Sequence, residues 1–449
     1  MGILQHHHRW STDQEILPEF PPESDSSSSE NSLASVTSLT TSKQPSTTQK
    51  HHYLTTFKAH TSSITSLTLA GKHLLSGSSD NQVRVWPRDA LPTVQNLMAY
   101  GESTVKSMVV CGDKLFTGHQ DHKIRVWKIE HDDDEVNKRK TVTSTYLATL
   151  PTINDRVTKM FLAKNYIKIP RNKKCHTGRS RDGIVQRVKW SRYTAAGGFI
   201  TRGRVNALWW SCVEVWNFVN HIDAVAALAL SHDGSLLYSA SWDRTFKVWR
   251  TSDFKCLESV SDAHDDAINA IVVSHDGYIY TGSADRKIKV WRKYPGEKKH
   301  TLVDTLEKHK SAVNALALSP DGSVLYSGAC DRSILVWEKG NGGESGGDWR
   351  HMVVAGALRG HGMAVLCIVV VGDLVISGSA DKTVRIWRGI GGKKYSRVCV
   401  LEGHNGPIKC LAATVDSCIS AESSGTSYLV YSGSLDCDVK AWKIWLPFL

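Results

Sequence analysis

A hydroxyl, an imidazole and a carboxylate are the parts from which nucleophilic hydrolases are assembled, and this chain carries that set many times over. Seven times a Ser or Thr stands four residues before an Asp, which stands six before a Trp. The triplets are Ser76, Asp80, Trp86; Thr117, Asp121, Trp127; Ser239, Asp243, Trp249; Thr281, Asp285, Trp291; Ser327, Asp331, Trp337; Ser377, Asp381, Trp387; and Ser432, Asp436, Trp442. A His lies upstream of most: His60, His221, His264, His309, His361 and, at a longer interval, His404. A catalytic set need occur only once. These recur at intervals of about 40 to 60 residues, with one longer gap, which marks a repeat architecture and a structural role. A buried carboxylate and imidazole are costly unless every partner is present, so the four residue types must travel together.

Other catalytic patterns are absent from the sequence: it has no G-x-x-x-x-G-K-[ST], G-x-S-x-G, H-E-x-x-H or dinucleotide fingerprint. The Gly-rich run Gly340 to Gly347 lacks the Lys of a phosphate loop. The short His runs His6 to His8 and His51-His52 are not assigned to a metal. The expectation is a non-enzymatic protein with no catalytic residue, cofactor or metal site.

The elements that must position the repeated set follow from local patterning. Between His and Asp runs an apolar, β-branched stretch such as Asn314 to Ser319, then Asp321-Gly322 as turn chemistry, then Val324 to Ser327. That reads as two strands joined by a hairpin. Alternating segments such as Lys287 to Trp291 make a third strand, and looser ones such as Thr301 to Leu306 a fourth. Four short antiparallel strands per unit form one blade of an all-β disc. Leu54 to Phe57 is expected to close the ring as the outer strand of the last blade, removing exposed edges.

On these residues the chain resembles the WD-repeat β-propellers, over roughly Tyr53 to Trp442. The resemblance implies that Trp, Ser or Thr, His and Asp of each unit are hydrogen-bonded in that order. Seven blades are expected, or eight if the degenerate unit from Leu150 to His221 folds as one. Two departures stand out. The second unit has Gly101-Glu102 where Gly-His is expected, so its network is expected to be incomplete. No Trp is followed by Asp, so the Trp-Asp-x-Arg ending with which some propellers dock on a ubiquitin-ligase adaptor is missing. Leu54 to Ile64, Ser76 to Asp80 with Arg84 to Arg88, Leu150 to Arg156, Lys164 to Tyr166 and His221 to Val225 are similar to the plant Jingubang-type WD-repeat proteins. That resemblance implies a regulatory protein acting through protein partners, including transcription factors, in processes such as pollen germination.

Residues 1–50 are rich in Ser and Thr, with few large apolar groups, and are expected to form a disordered tail ahead of a propeller over 51–445. An irregular insertion interrupts that propeller at about 175–211. From Lys164 to Arg204 there are 12 Lys or Arg and one acid, so this segment alone carries the whole chain's net charge of +11. It is either a basic arm for nucleic acid or another anionic surface, or a disordered loop, or sequence absent from the usual gene product. Basic residues two before the Trp (Arg84, Arg125, Lys247, Lys289, Arg385 and Lys440) are expected on solvated blade surface.

Ten scattered Cys without a Cys-x-x-Cys pair favour reduced thiols, and no apolar run reaches the length of a membrane span. Cytoplasm or nucleus is therefore expected, with no membrane attachment. The leading expectation for function is a scaffold for protein or peptide partners. The residue before each turn Asp (Ser79, Gln120, Trp242, Ala284, Cys330, Ala380 and Leu435) would line a shared binding face. Trp242 is either its anchor or packed on a neighbouring blade.

Overall fold

The computed structural model describes residues 36–41, 50–58, 60–88, 96–134, 139–152, 220–340, 352–389, 394–416 and 425–447. Among these every regular element is a β-strand, grouped in seven sheets that are antiparallel but for one added two-residue strand. We number the sheets as blades and letter the strands a to d from the inside of the ring outward. The blades span residues 64–100, 105–150, 225–260, 268–306, 313–358, 365–401 and 408–447. Strand d of blade 7 is Lys50–Phe57, antiparallel to the Val439–Pro447 strand, so the start of the propeller closes its end.

The seven-blade reading holds and the eight-blade alternative falls away, because blades 2 and 3 adjoin directly. The Leu228 N–H of blade 3 donates to the Ser107 hydroxyl of blade 2 at 3.1 Å. The unit expected between Leu150 and His221, including the basic insertion, lies at 153–219, outside the described residues.

Packing between blades is repeated as regularly as the sequence. Strand a of every blade has a register shift after its first residue, for example between Val313 and Ala315. Such a bulge re-aims the extra residue. Asn269 uses it to donate to the Val313 carbonyl of the next blade at 3.1 Å, and Asn314 to the Val365 carbonyl at 3.0 Å. In six of the seven blades strand b carries a Gly where the next blade's first residue presses in, and blade 3 has Ala240 there. A Cβ added to Gly328 would lie 2.6 Å from Val365, and one on Gly433 would lie 2.7 Å from Ile64 across the closing seam. Gly328→Ala is therefore expected to cost about 1 to 3 kcal/mol by overpacking, read as a lower urea midpoint.

Three sequence expectations are corrected. Residues 36–41, within the stretch expected to be a disordered tail, are ordered: Thr40 and Thr41 pair in parallel with Tyr395 and Ser396 of blade 6, and Val36 and Leu39 are buried. The basic residues before the Trp are not solvated surface: Arg125 and Lys247 are buried and Arg84, Lys289, Arg385 and Lys440 half-buried. Five of the six heads find acceptors, as when Lys247 donates to the Ser259 hydroxyl at 2.6 Å and Lys289 to the Ala263 carbonyl at 2.7 Å, whereas the Arg385 Nε is buried without one. The third correction concerns blade 2 and is described with its network. No disulfide joins the seven described cysteines to one another, and burial pushes the Cys367 and Cys399 thiols up to about 12.

Candidate functional site

In all seven blades the Trp indole N–H donates to the hydroxyl of strand b, at 2.8 to 3.0 Å. In six of them that hydroxyl meets the His Nε2 at 2.7 to 2.9 Å. The Nδ1 of the same ring faces the Asp Oδ2 at 2.8 to 2.9 Å. Since the hydroxyl already accepts the indole N–H, it can give its own proton to Nε2, which leaves Nδ1 to donate to the carboxylate.

The carboxylate does more than receive this proton. Its Oδ2 also accepts the backbone N–H after the His, as from Ile222 at 2.9 Å, and its Oδ1 the N–H two residues on, as from Thr245 at 2.9 Å. One Asp thus ties the loop entering a blade to the turn between strands b and c. Burial alone would raise these carboxyls, but the His hydrogen bonds and charge and the backbone donors outweigh it. Asp285 and Asp331 are held down to about 2, and Asp80, Asp243, Asp381 and Asp436 are likewise below the ordinary carboxylate range. Burial also lowers His221 and His361, against the pull of their Asp partners. Ser76, Ser239, Thr281, Ser327, Ser377 and Ser432 are fully buried and already accept an indole N–H, so these hydroxyls are closed to any substrate.

Blade 2 solves the same problem differently. In the other six blades the His stands four residues before the first residue of strand a, as His221 does before Val225. In blade 2 that place belongs to Gly101, not Glu102, since strand a begins at Val105. The missing imidazole is supplied from strand b: His119 Nε2 faces the Thr117 hydroxyl at 2.8 Å, and its Nδ1–H donates to the Ser103 carbonyl at 2.9 Å. A Cβ on Gly101 would lie 3.1 Å from the His119 ring, which fills the vacant space. Asp121, without a His, is gripped by Arg125 at 2.6 Å, and Arg125 also reaches Glu102 at 3.2 Å. The network expected to be incomplete is therefore rerouted. Sequence reading missed His119, although a signal was present: it stands where the other blades have Ser78, Ser241, Ser283, Ala329, Ser379 and Ser434.

With these polar groups sealed inside, the turns between strands b and c form one accessible rim. The seven residues before the turn Asp are equivalent in three dimensions, each donating its N–H to the carbonyl just before strand a of its own blade. Examples are Ser79 to Ser63 at 2.9 Å, Gln120 to Thr104 at 3.0 Å, Trp242 to Ala224 at 3.1 Å and Leu435 to Pro407 at 3.0 Å. Ala284, Cys330 and Ala380 do the same at 2.9 Å. Cys330 is exposed and the other six are half-buried. Trp242 lies beneath the Lys106 ammonium of blade 2, 5.4 Å from its ring centroid, so it packs on its neighbour while keeping part of its surface in water.

The residue after each turn Asp has a left-handed backbone: Asn81, His122, Arg244, Arg286, Arg332, Lys382 and Cys437 have φ between 65° and 72°. Such a backbone projects the side chain away from the sheet. In blades 3 to 6 it presents Arg244, Arg286, Arg332 and Lys382, all exposed, as an arc of cations that sequence reading did not single out.

A ring of seven four-stranded blades, each pinned by a buried Trp–hydroxyl pair, defines a β-propeller of the repeat-built interaction class. The chain belongs to the family described as WD40: WD domain, G-beta repeat, whose model matches residues 51–87, 210–250, 254–292, 300–338, 353–388 and 395–443, more than half of the sequence. Blade 2, where the network is rerouted, falls outside those matches.

Similarity to individual proteins is partial. Protein ROOT INITIATION DEFECTIVE 3 of Arabidopsis thaliana is 32% identical over 182 residues, 37% of this chain and 39% of that protein. Small ribosomal subunit protein RACK1 of Drosophila melanogaster is 34% identical over 104 residues, 22% of this chain and 31% of its own length. The chain thus spans well under half of either relative. The crystal structure of the WD40 β-propeller domain of Doa1 superposes with a TM-score of 0.55 at 20% identity, covering 87% of this chain and 96% of that one, which bears on the fold alone.

Proposed function

We propose that this protein is a non-enzymatic scaffold that binds other proteins on the rim where the strand b–c turns converge. The observation that carries the reading is the division of labour within each blade. The reactive-looking groups are consumed in buried networks, whereas seven equivalent turn positions stay accessible around one face. Partner identity is set there, by Trp242, by Cys330 and by the arc of Arg244, Arg286, Arg332 and Lys382. Cations around an amphipathic ring suit an acidic protein segment bearing apolar or aromatic side chains. The relatives are consistent with this: one is named as a ribosomal subunit protein, a component of an assembly.

On the sequence resemblance to Jingubang-type proteins we further propose that the partners include transcription factors, in plant signalling such as the control of pollen germination, within cytoplasm or nucleus. The test is affinity capture with mass spectrometry, comparing the unaltered chain with Trp242→Ala and with Arg286→Glu/Arg332→Glu. Trp242→Ala is expected to weaken capture of the principal partner by about 2 kcal/mol with an unchanged melting temperature. Equal loss of binding and melting temperature would return Trp242 to the fold. Retention of every partner by both variants would remove the rim from the function.

A further inference from the structure

Far from the turns, one short piece of chain is held by the edges of two blades at once. Residues 36–41 run beside strand d of blade 5 (Met352–Leu358) and strand d of blade 6 (Tyr395–Leu401). The Leu39 N–H donates to the Ala357 carbonyl at 2.9 Å, and the Ala357 N–H donates to the Thr37 carbonyl at 3.0 Å. The Tyr395 N–H donates to the Leu39 carbonyl at 3.0 Å, after which Thr40 and Thr41 pair with Tyr395 and Ser396. Outer strands end in unpaired backbone groups, and an extended segment that satisfies them adds a strand to the sheet.

The side chains divide cleanly. Thr37 and Ser38 face water, while Val36 and Leu39 are buried. Leu39 enters the apolar seam between the blades, among Tyr326, Val365, Val375, Trp387 and Tyr395. Val36 joins the adjoining seam beside Met352 and Ala357. The groove is shaped for this approach by Gly356: an added Cβ there would lie 2.6 Å from Leu39 Cδ2 and 2.7 Å from the Thr37 carbonyl oxygen.

Nothing in this contact is needed to complete a blade, since blades 5 and 6 each have four strands of their own. Backbone pairing accepts any extended chain, and the Leu39 pocket supplies the selection. We propose that the cleft between the outer strands of blades 5 and 6 is a strand-docking site, occupied in cis by residues 36–41. A protein partner would exchange for this segment by presenting an extended stretch with an aliphatic residue, two small hydroxyl residues and then Leu. The tail is thus an internal competitor that sets the threshold for docking at the edge, separately from binding on the rim.

The probe is a fluorescent peptide of residues 33–42, Leu-Ala-Ser-Val-Thr-Ser-Leu-Thr-Thr-Ser, added to the full chain and read by anisotropy. Leu39→Asp in the protein should release the segment and raise peptide affinity at least about tenfold over the unaltered chain. Adding Gly356→Val to that variant should abolish the gain, with the melting temperature of Gly356→Val alone reporting on folding. A photoreactive Leu at peptide position 39 should cross-link to 352–358 or 395–401 in the Leu39→Asp chain, which keeps the test decisive if Gly356→Val does not fold. Equal affinity for the unaltered and Leu39→Asp chains, or cross-links elsewhere, would overturn the proposal.

Discussion

Asp243→Ala is expected to destabilise the propeller by about 4 kcal/mol, far more than the removal of a surface carboxylate. Four donors converge on this side chain: the His221 Nδ1–H at 2.9 Å, the Ile222 and Thr245 N–H groups at 2.9 Å, and the Thr245 hydroxyl at 2.7 Å. Only 1% of the Asp243 side chain is exposed, so water cannot replace it without opening the blade. Asp243→Asn keeps the shape and one acceptor but turns an N–H₂ toward a donor, and should cost about half as much. The pH dependence gives an independent check. The Asp243 carboxyl is held below its ordinary value in the folded state, so its contribution is complete above the unfolded carboxylate pKa of about 3.9 and is lost as pH falls below that. The gap between the unaltered chain and Asp243→Ala, measured by urea titration, should therefore be constant from pH 7 to about 5 and narrow in stronger acid. A gap that widened in acid would mean that the carboxylate does not hold the network.

The reach of the sequence follows from what kind of contact a residue makes. Trp, hydroxyl and Asp lie within ten residues of each other, in one hairpin, so their spacing is fixed by strand length and shows directly in the chain. The closing strand was legible for a similar reason, because Leu54 to Phe57 has strand chemistry and a repeat array needs its edge covered. Leu39 was not, since its partners Ala357 and Tyr395 are more than 300 residues away and a Ser/Thr-rich composition conceals two apolar anchors. Lys247 and Arg125 were placed in water because charge was taken as exposure, whereas a long stem beside a hydroxyl or carboxylate lets the charge be buried. A Gly-His dipeptide sought before each unit points to Glu102 in blade 2, whereas the residue four places before the strand is Gly101, and this hides the part played by His119.

The same comparison separates what is fixed from what is free. The Trp, hydroxyl and Asp that hold a blade together are repeated in all seven, and the neighbours one place before and one place after the Asp vary from blade to blade: Ser79, Gln120, Trp242, Ala284, Cys330, Ala380 and Leu435 on one side, Asn81, His122, Arg244, Arg286, Arg332, Lys382 and Cys437 on the other. Since the backbone there is held by the Asp itself, these side chains change without altering the turn. Specificity for partners can thus be written on the rim at little cost to the fold.

His119 should behave as a compensating replacement whose loss is both measurable and repairable. His119→Ser removes the imidazole partner of the Thr117 hydroxyl and opens a cavity beside Gly101, which is expected to cost about 2 kcal/mol. Gly101→His alone should also destabilise, because the new ring and His119 compete for one space. The double variant rebuilds the arrangement of the other blades, with the loop imidazole between Thr117 and Asp121, and should be more stable than either single variant. Burial and the neighbouring Arg125 hold His119 down to about 4, below its unfolded value of about 6.5. The unfolded chain therefore binds a proton that the folded chain does not between those values, so stability due to His119 is complete above pH 6.5 and declines by roughly 3 kcal/mol as pH falls to 4, levelling below. Subtracting the pH profile of His119→Ser from that of the unaltered chain removes the parallel contributions of His221 and His361. A difference that is flat from pH 4 to 6.5, or a double variant no better than the worse single one, would show that His119 does not stand in for the missing imidazole.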